Sequence, residues 1–136
     1  MDIYEQLRRD EGVRLLPYAD SVGKLTIGVG RNLTDVGITQ DEATMLLTND
    51  VTKVTNQLAE LLPWFGALDA VRAGALVNMG FNLGVVGLLS FHNTLTCIEF
   101  GQWDNAAAAM LSSKWAGQVG ARATRLAEQI RTGTWQ

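Results

Sequence analysis

Residues 10–30 read DEGVRLLPYADSVGKLTIGVG, and the hydrophobic period of the chain changes within them. On the N-terminal side, Ile3 and Leu7 share one face of a helix predicted from about Asp2 to Glu11. Gly12 supplies the stop that a helix C-terminus commonly takes. Beyond it, Pro17, Gly23, Gly28, Gly30 and then Gly37 punctuate short β-favouring pieces, of which Leu25-Thr26-Ile27 is the clearest. This pattern predicts a small hairpin or three-stranded sheet over residues 14–34.

Outward from that stretch the chain turns helical. Thr39-Gln40-Asp41-Glu42 is a capping box, with Thr39 as the cap and Glu42 reaching back. Ala43, Leu46, Leu47, Val51, Val54, Leu58, Leu61 and Leu62 then recur at helical spacing until Pro63. Such a helix of about 22 residues would be roughly 33 Å long. Further helices are expected over 70–82, 93–100 and 103–111. A last one carries Ala123, Leu126, Ala127 and Ile130 on one face and ends at Gly133. The fold class is α+β, in a single domain over 1–136. A sheet lobe (about 12–38) and a helical lobe (about 63–136 plus the N-terminal helix 2–11) are joined by the long helix. A cleft between the lobes is the natural place for an extended ligand.

The chain has 136 residues, 47% hydrophobic and 18% charged, an ordinary globular balance. The net charge of −3 argues against a general nucleic-acid binder. No apolar run approaches the ~18 residues of a membrane span. The N-terminus carries charges where a signal peptide would be apolar. Cys97, in an apolar context, is expected to be a buried structural thiol. His92 has no ligand cluster around it, so no metal site is expected. From Lys114 onward four cations (Lys114, Arg122, Arg125, Arg131) face one anion, Glu128. That is either a solvated helix end or a local positive field for an anionic polymer.

Breaking a glycosidic bond needs a proton for the leaving oxygen and help for an oxocarbenium-like transition state, usually from two carboxyl groups. The acid must hold its proton near neutral pH, typically through burial. Glu11 ends a helix, Asp20 follows on the loop of the hairpin, and Thr26 lies on a strand beyond. A carboxylate and a hydroxyl in one tight hairpin can hold a water as nucleophile. Each residue alone also fits a structural role: Glu11 as a surface helix end, Asp20 as a turn cap, Thr26 as a strand former.

Jointly, Asp10-Glu11-Gly12, Leu15 to Tyr18, Asp20, Gly23 and Thr26-Ile27-Gly28-Val29-Gly30 resemble the active-site segment of the phage lysozyme (endolysin) family. The resemblance continues through Gly37-Ile38-Thr39, Leu68-Asp69-Ala70-Val71-Arg72, Asn78-Met79 with Phe81-Asn82-Leu83-Gly84, Phe91 to Leu95, Trp103-Asp104, and Arg122 to Trp135. It covers essentially the whole chain in order, with a short connection from hairpin to helix.

The resemblance implies a lysozyme-like fold and hydrolysis between N-acetylmuramic acid and N-acetylglucosamine in bacterial peptidoglycan. It implies Glu11 as general acid, with Asp20 and Thr26 positioning the attacking water, and no cofactor. Inversion is suggested, while Asp20 as covalent nucleophile or electrostatic stabiliser stays open. Arg122 looks like the family arginine that approaches the catalytic Glu, and Phe81, Asn93 and Gln118 are candidate substrate contacts. Phe81 could equally be core. Trp64, Trp103, Trp115 and Trp135 are expected to be core anchors.

Some family members carry His where this chain has Arg31, whose charge is permanent. Arg31 is expected to pair with Asp50. Several relatives are basic, unlike this chain. The resemblance and the missing signal peptide place the protein in the host bacterial cytoplasm, and a monomer is expected because no apolar helix face is left obviously unpaired. It would reach the periplasm and cell wall at lysis with the help of a holin-type membrane protein. Two other readings remain: a lytic transglycosylase cutting the same bond, and a non-catalytic wall-binding or structural module such as part of a phage tail.

Overall fold

A computed structural model describes all residues, Met1–Gln136. The chain is α+β, with a three-stranded antiparallel sheet and eight α-helices. It divides into two compact units, Met1–Leu46 and Leu47–Gln136. No helix is long and apolar enough to cross a membrane.

The first unit begins with α1 (Ile3–Glu11). Asp2 and Glu5 form a reciprocal capping box at its start, a signal that the hydrophobic spacing did not reveal. Gly12 ends it with φ of 76° and donates its N–H to Arg8 O. Then come β1 (Arg14–Ala19), β2 (Leu25–Gly28) and β3 (Arg31–Asn32), in spatial order β1-β2-β3. Tyr18 pairs with Thr26 and Ala19 with Leu25, while Arg14 pairs with Gly28, so the register slips in between. Pro17 lies within the slip. It has no N–H to give to a ladder and is tolerated because β1 is an edge strand.

Helix α2 (Gln40–Leu61) starts where the capping box places it. The Thr39 N–H donates to Glu42 Oε1 at 3.0 Å, and the Glu42 N–H donates to Thr39 Oγ1 at 3.1 Å. The apolar positions along α2 fare unequally. Leu58 is buried, as is Leu62 just past its end, and Val54 packs against the core, but Leu46, Leu47, Val51 and Leu61 are exposed. The core is assembled from Val54 onward, so only the later turns of α2 have side chains to bury against.

The second unit continues with a 3₁₀ turn (Phe65–Ala67), α3 (Ala70–Leu83), α4 (Val85–Leu89) and α5 (His92–Glu99). It ends with α6 (Trp103–Leu111), α7 (Lys114–Val119) and α8 (Ala121–Thr132). Leu76, Met79, Leu88, Ile98, Met110 and Ile130 are fully buried. Trp115 is buried, meets Phe91 edge-on at 5.9 Å and donates its indole N–H to Asn82. Trp64 and Trp103 are half-buried against the core. Trp135 departs from the expectation of a core anchor: it is 65% exposed. Its ring lies over Gly74, where a Cβ would come within 2.4 Å of it, so it covers a helix surface without entering the core. Cys97 is likewise half-buried at the margin of the core, not within it.

Replacing Leu76 by Ala should cost about 2–5 kcal/mol, because a close-packed core only partly collapses around the hole. The same truncation at Leu15, which is 84% exposed, should stay within about 0.5 kcal/mol. Urea denaturation of the two variants beside the parent checks both values.

Candidate active site

Three of the candidate residues, Glu11, Asp20 and Thr26, lie in the first unit. Asp20 sits at the end of the β1 strand, and its Oδ1 accepts the N–H groups of Val22 at 2.9 Å and Lys24 at 2.8 Å. These bonds close the hairpin turn in the manner of a local Asx turn. They also fix the carboxylate plane and leave Oδ2 without a protein donor. The turn is completed by the Asp20 N–H donating to Lys24 O and the Gly23 N–H donating to Asp20 O.

Thr26 is 5% exposed, and its hydroxyl donates to Lys24 O at 3.0 Å. The Lys24 carbonyl therefore receives both the Asp20 amide and the Thr26 hydroxyl. With its proton committed, Thr26 Oγ1 presents lone pairs, so any water on it must act as donor. An acceptor hydroxyl suits a water that is to lose a proton.

Glu11 is the last residue of α1 and is exposed. Its carboxyl lies against Gly30 in the turn between β2 and β3, where a Cβ would meet Glu11 Oε2 at 3.1 Å. Gly30 also has φ of +69°, a conformation that side chains rarely adopt. Two constraints thus select glycine at this position beside the candidate acid.

Arg31 follows directly and does not pair with the expected Asp50. Its Nη1 donates to Glu42 Oε1 at 2.7 Å and to Gly37 O at 3.2 Å. The physical reason is local. Glu42 already faces back over the start of α2 to cap Thr39, which presents its carboxylate to the Arg31 side chain. The Arg31 hydrogen bond, followed by the Thr39 N–H, pulls the Glu42 carboxyl down to about 2. At the other end of the sheet, Lys24 pairs with Asp35 at 3.3 Å, and Asn32 holds Asp35 through both backbone and side chain.

Phe81, Asn93, Gln118 and Arg122 belong to the second unit. Phe81 is 44% exposed near the end of α3, which excludes the plain core alternative. It borders a hollow of about 320 Å³ with Asp50, Lys53 and Gln57 of α2. Asn93, in the first turn of α5, lines a separate cavity of about 460 Å³ with His92 and Lys114. Gln118 is exposed on α7. Arg122, in the first turn of α8, donates from Nε and Nη2 to Asn78 Oδ1 at 2.9 and 2.7 Å, and its Nη1 is left over. Gly30, the Lys24 carbonyl and Asn78 were not among the candidate site residues. Gly30 and Asn78 lie in the stretches that carry the family resemblance, whereas a backbone carbonyl leaves no mark in a sequence.

The family model for phage lysozyme matches residues 8–129. The chain belongs to the phage lysozyme family. Among curated relatives of this family member, it is 30% identical to probable T4-type lysozyme 1 of Dictyostelium discoideum, covering 97% of this chain and 95% of the relative. Probable T4-type lysozyme 2 of the same organism is 28% identical, with 96% and 94% covered. The pre-baseplate central spike protein Gp5 of Enterobacteria phage T4 is 32% identical over 98% of this chain, which spans only 28% of that longer protein.

Substituting Gly30 by Ala should lower stability by about 1–2 kcal/mol through the left-handed backbone. It should also displace the Glu11 carboxyl, visible as a shift of its ¹³C resonance. A second prediction concerns Glu42, whose carboxyl ordinarily titrates near 4.5 and here near 2. A depressed carboxyl stabilises the folded state fully above pH 4.5 and loses that contribution as pH falls toward 2. The melting-temperature advantage of the wild type over Glu42→Gln should be constant above pH 4.5 and shrink below it.

Proposed function

We propose that this chain is a muramidase that hydrolyses the β-1,4 bond between N-acetylmuramic acid and N-acetylglucosamine in bacterial peptidoglycan. Membership in the phage lysozyme family supports muramidase-like hydrolysis of peptidoglycan. The observation that carries the residue roles is the shared Lys24 carbonyl, which ties the Asp20 turn to the Thr26 hydroxyl.

The Glu11 carboxylic acid gives its proton to the glycosidic oxygen as the bond to the anomeric carbon breaks. A water that donates one hydrogen bond to Thr26 Oγ1 and one to Asp20 Oδ2 attacks that carbon from the opposite face. Asp20 accepts the proton that the water loses, and the anomeric centre inverts. Glu11 is exposed in the free protein, so a sugar chain laid over it supplies the exclusion of water. Phe81 offers a sugar a ring face, and Asn93 and Gln118 offer amides to its N-acetyl groups. Arg122, oriented by Asn78, offers the free edge of its guanidinium. In this reading the enzyme works as a monomer, accumulates in the cytoplasm of a phage-infected bacterium, and crosses to the wall through a holin-type lesion.

A second reading, a wall-binding structural module, is favoured by the likeness to the phage T4 spike protein. Turbidity of outer-membrane-stripped walls, with mass spectrometry of the soluble fragments, separates the two. The wild type should clear the walls and release ordinary reducing ends. Glu11→Gln and Asp20→Asn should each lose roughly 10²–10⁴-fold in rate. Thr26→Val should fall similarly at a stability cost of about 1 kcal/mol, while Thr26→Ser keeps the hydroxyl and most of the activity. Binding without release would establish the structural module. Anhydro ends would make the chain a transglycosylase.

A further inference from the structure

We infer that Arg31 is a positioning residue for the Glu11 carboxyl, acting through Gly30 and anchored on the first turn of α2 by Glu42. The inference rests on the reading of Glu11 as the acid. The Glu11 carboxyl leans on Gly30, and Gly30 lies in a turn that begins and ends with glycines at φ of +70° and +69°. Two such residues give the turn little stiffness of its own, since glycine confers the widest backbone freedom. The strand that follows is only two residues long. Its backbone pairing, Ile27 with Arg31 and Thr26 with Asn32, secures the sheet side alone.

The Arg31 side chain secures the other side. Its Nη1 reaches Gly37 O and Glu42 Oε1, and the same Oε1 receives the Thr39 N–H. Arg31 is thereby fixed to the capping box of a 22-residue helix, the longest element in the fold. Without this tether the turn carrying Gly30 would be held from one side, and the surface behind the acid would drift. A catalytic group has to stay within about 0.5 Å of its working position. Arg31 itself makes its bonds inside the protein, so its loss should act on the chemical step and not on binding.

The test is steady-state kinetics on solubilised peptidoglycan chains for the wild type, Arg31→Met, Arg31→Lys, Glu42→Gln and Glu11→Gln. The ¹³C resonance of the Glu11 carboxyl is recorded for each variant that retains Glu11. Arg31→Met should lower kcat by about tenfold or more, because small misplacements of reacting groups are that costly, with KM within about twofold. Its Glu11 resonance should shift or broaden. Arg31→Lys should restore most of kcat and the resonance, since one nitrogen makes both of the Arg31 side-chain bonds. An unchanged kcat in Arg31→Met, a loss confined to KM, or a fall in kcat with an unmoved resonance would overturn the inference, as would failure of Lys to rescue. If Arg31→Met does not fold, Glu42→Gln decides: it keeps an acceptor oxygen but removes the charge. A smaller fall in kcat supports the tether, and an unchanged kcat removes it. Full activity in Glu11→Gln would instead defeat the reading of Glu11 as acid, and the carboxyl resonance would still show whether Arg31 positions that side chain.

Discussion

Between Met1 and Leu46 the protein buries a single residue, Thr26. Most large apolar side chains of this unit, among them Ile3, Leu15, Leu16, Val22 and Met45, are exposed. A segment built this way gains little from the removal of apolar surface from water, the usual source of stability at about 25 cal/mol per Å². Its shape has to come from hydrogen bonds and turn geometry, each worth only about 0.5–1.5 kcal/mol net. Hence the density of local polar bonds. Asp20 closes one turn, Asn32 closes another through Asp35, and Arg31 and Thr39 converge on one oxygen of Glu42. Asp20 and Thr26 belong to this network, while Glu11 rests against Gly30.

The second unit solves the opposite problem. Its core is apolar and close-packed, and its polar groups serve the ends of helices. Arg72 is the clearest case. Its guanidinium takes the carbonyls of Ile130 and Arg131 at the end of α8, pairs with Asp69, and stacks on Trp103 at 4.0 Å. Helix carbonyls left over at a C-terminus carry partial negative charge, so a cation there satisfies both hydrogen bonding and field. Buried Gln129 ties α8 to α3 in turn through Val71 O. A unit with such a core can leave Phe81, Asn93 and Gln118 exposed at little cost, which leaves them available to a ligand.

What the sequence revealed follows from the same division. Turn and cap chemistry is local, and it was legible: Gly12 ends α1, Thr39 and Glu42 start α2, and Asp20 closes a turn. Helical spacing located the long elements but not α4 and α7, which have five and six residues and too few positions to display a period. Spacing also overstated burial. Leu46, Leu47 and Val51 fit the apolar stripe of α2, yet burial depends on what lies opposite, which no pattern within one helix encodes. The same limit applies to Trp135 and Cys97. The family arrangement points Arg31 toward Asp50, whereas the partner it takes, Glu42, already caps α2. A carboxylate oxygen can accept more than one donor, so serving as a cap did not remove it as an ion-pair partner.

The connection from β3 to α2 explains why this partnership is available at all. Arg31 and Glu42 are 11 residues apart, and the intervening chain is folded on itself by Asn32, Asp35 and Gly37. Closing a loop of that length costs little more entropy than closing one half as long. The pair is therefore assembled largely by its own neighbourhood. Because Arg31 keeps its charge and Glu42 titrates only near 2, the link stays ionised across the range where ordinary carboxyls and histidines change state. A histidine in place of Arg31 would make the same link depend on pH. With arginine there, the link that holds the turn beneath Glu11 keeps one charge state across that range.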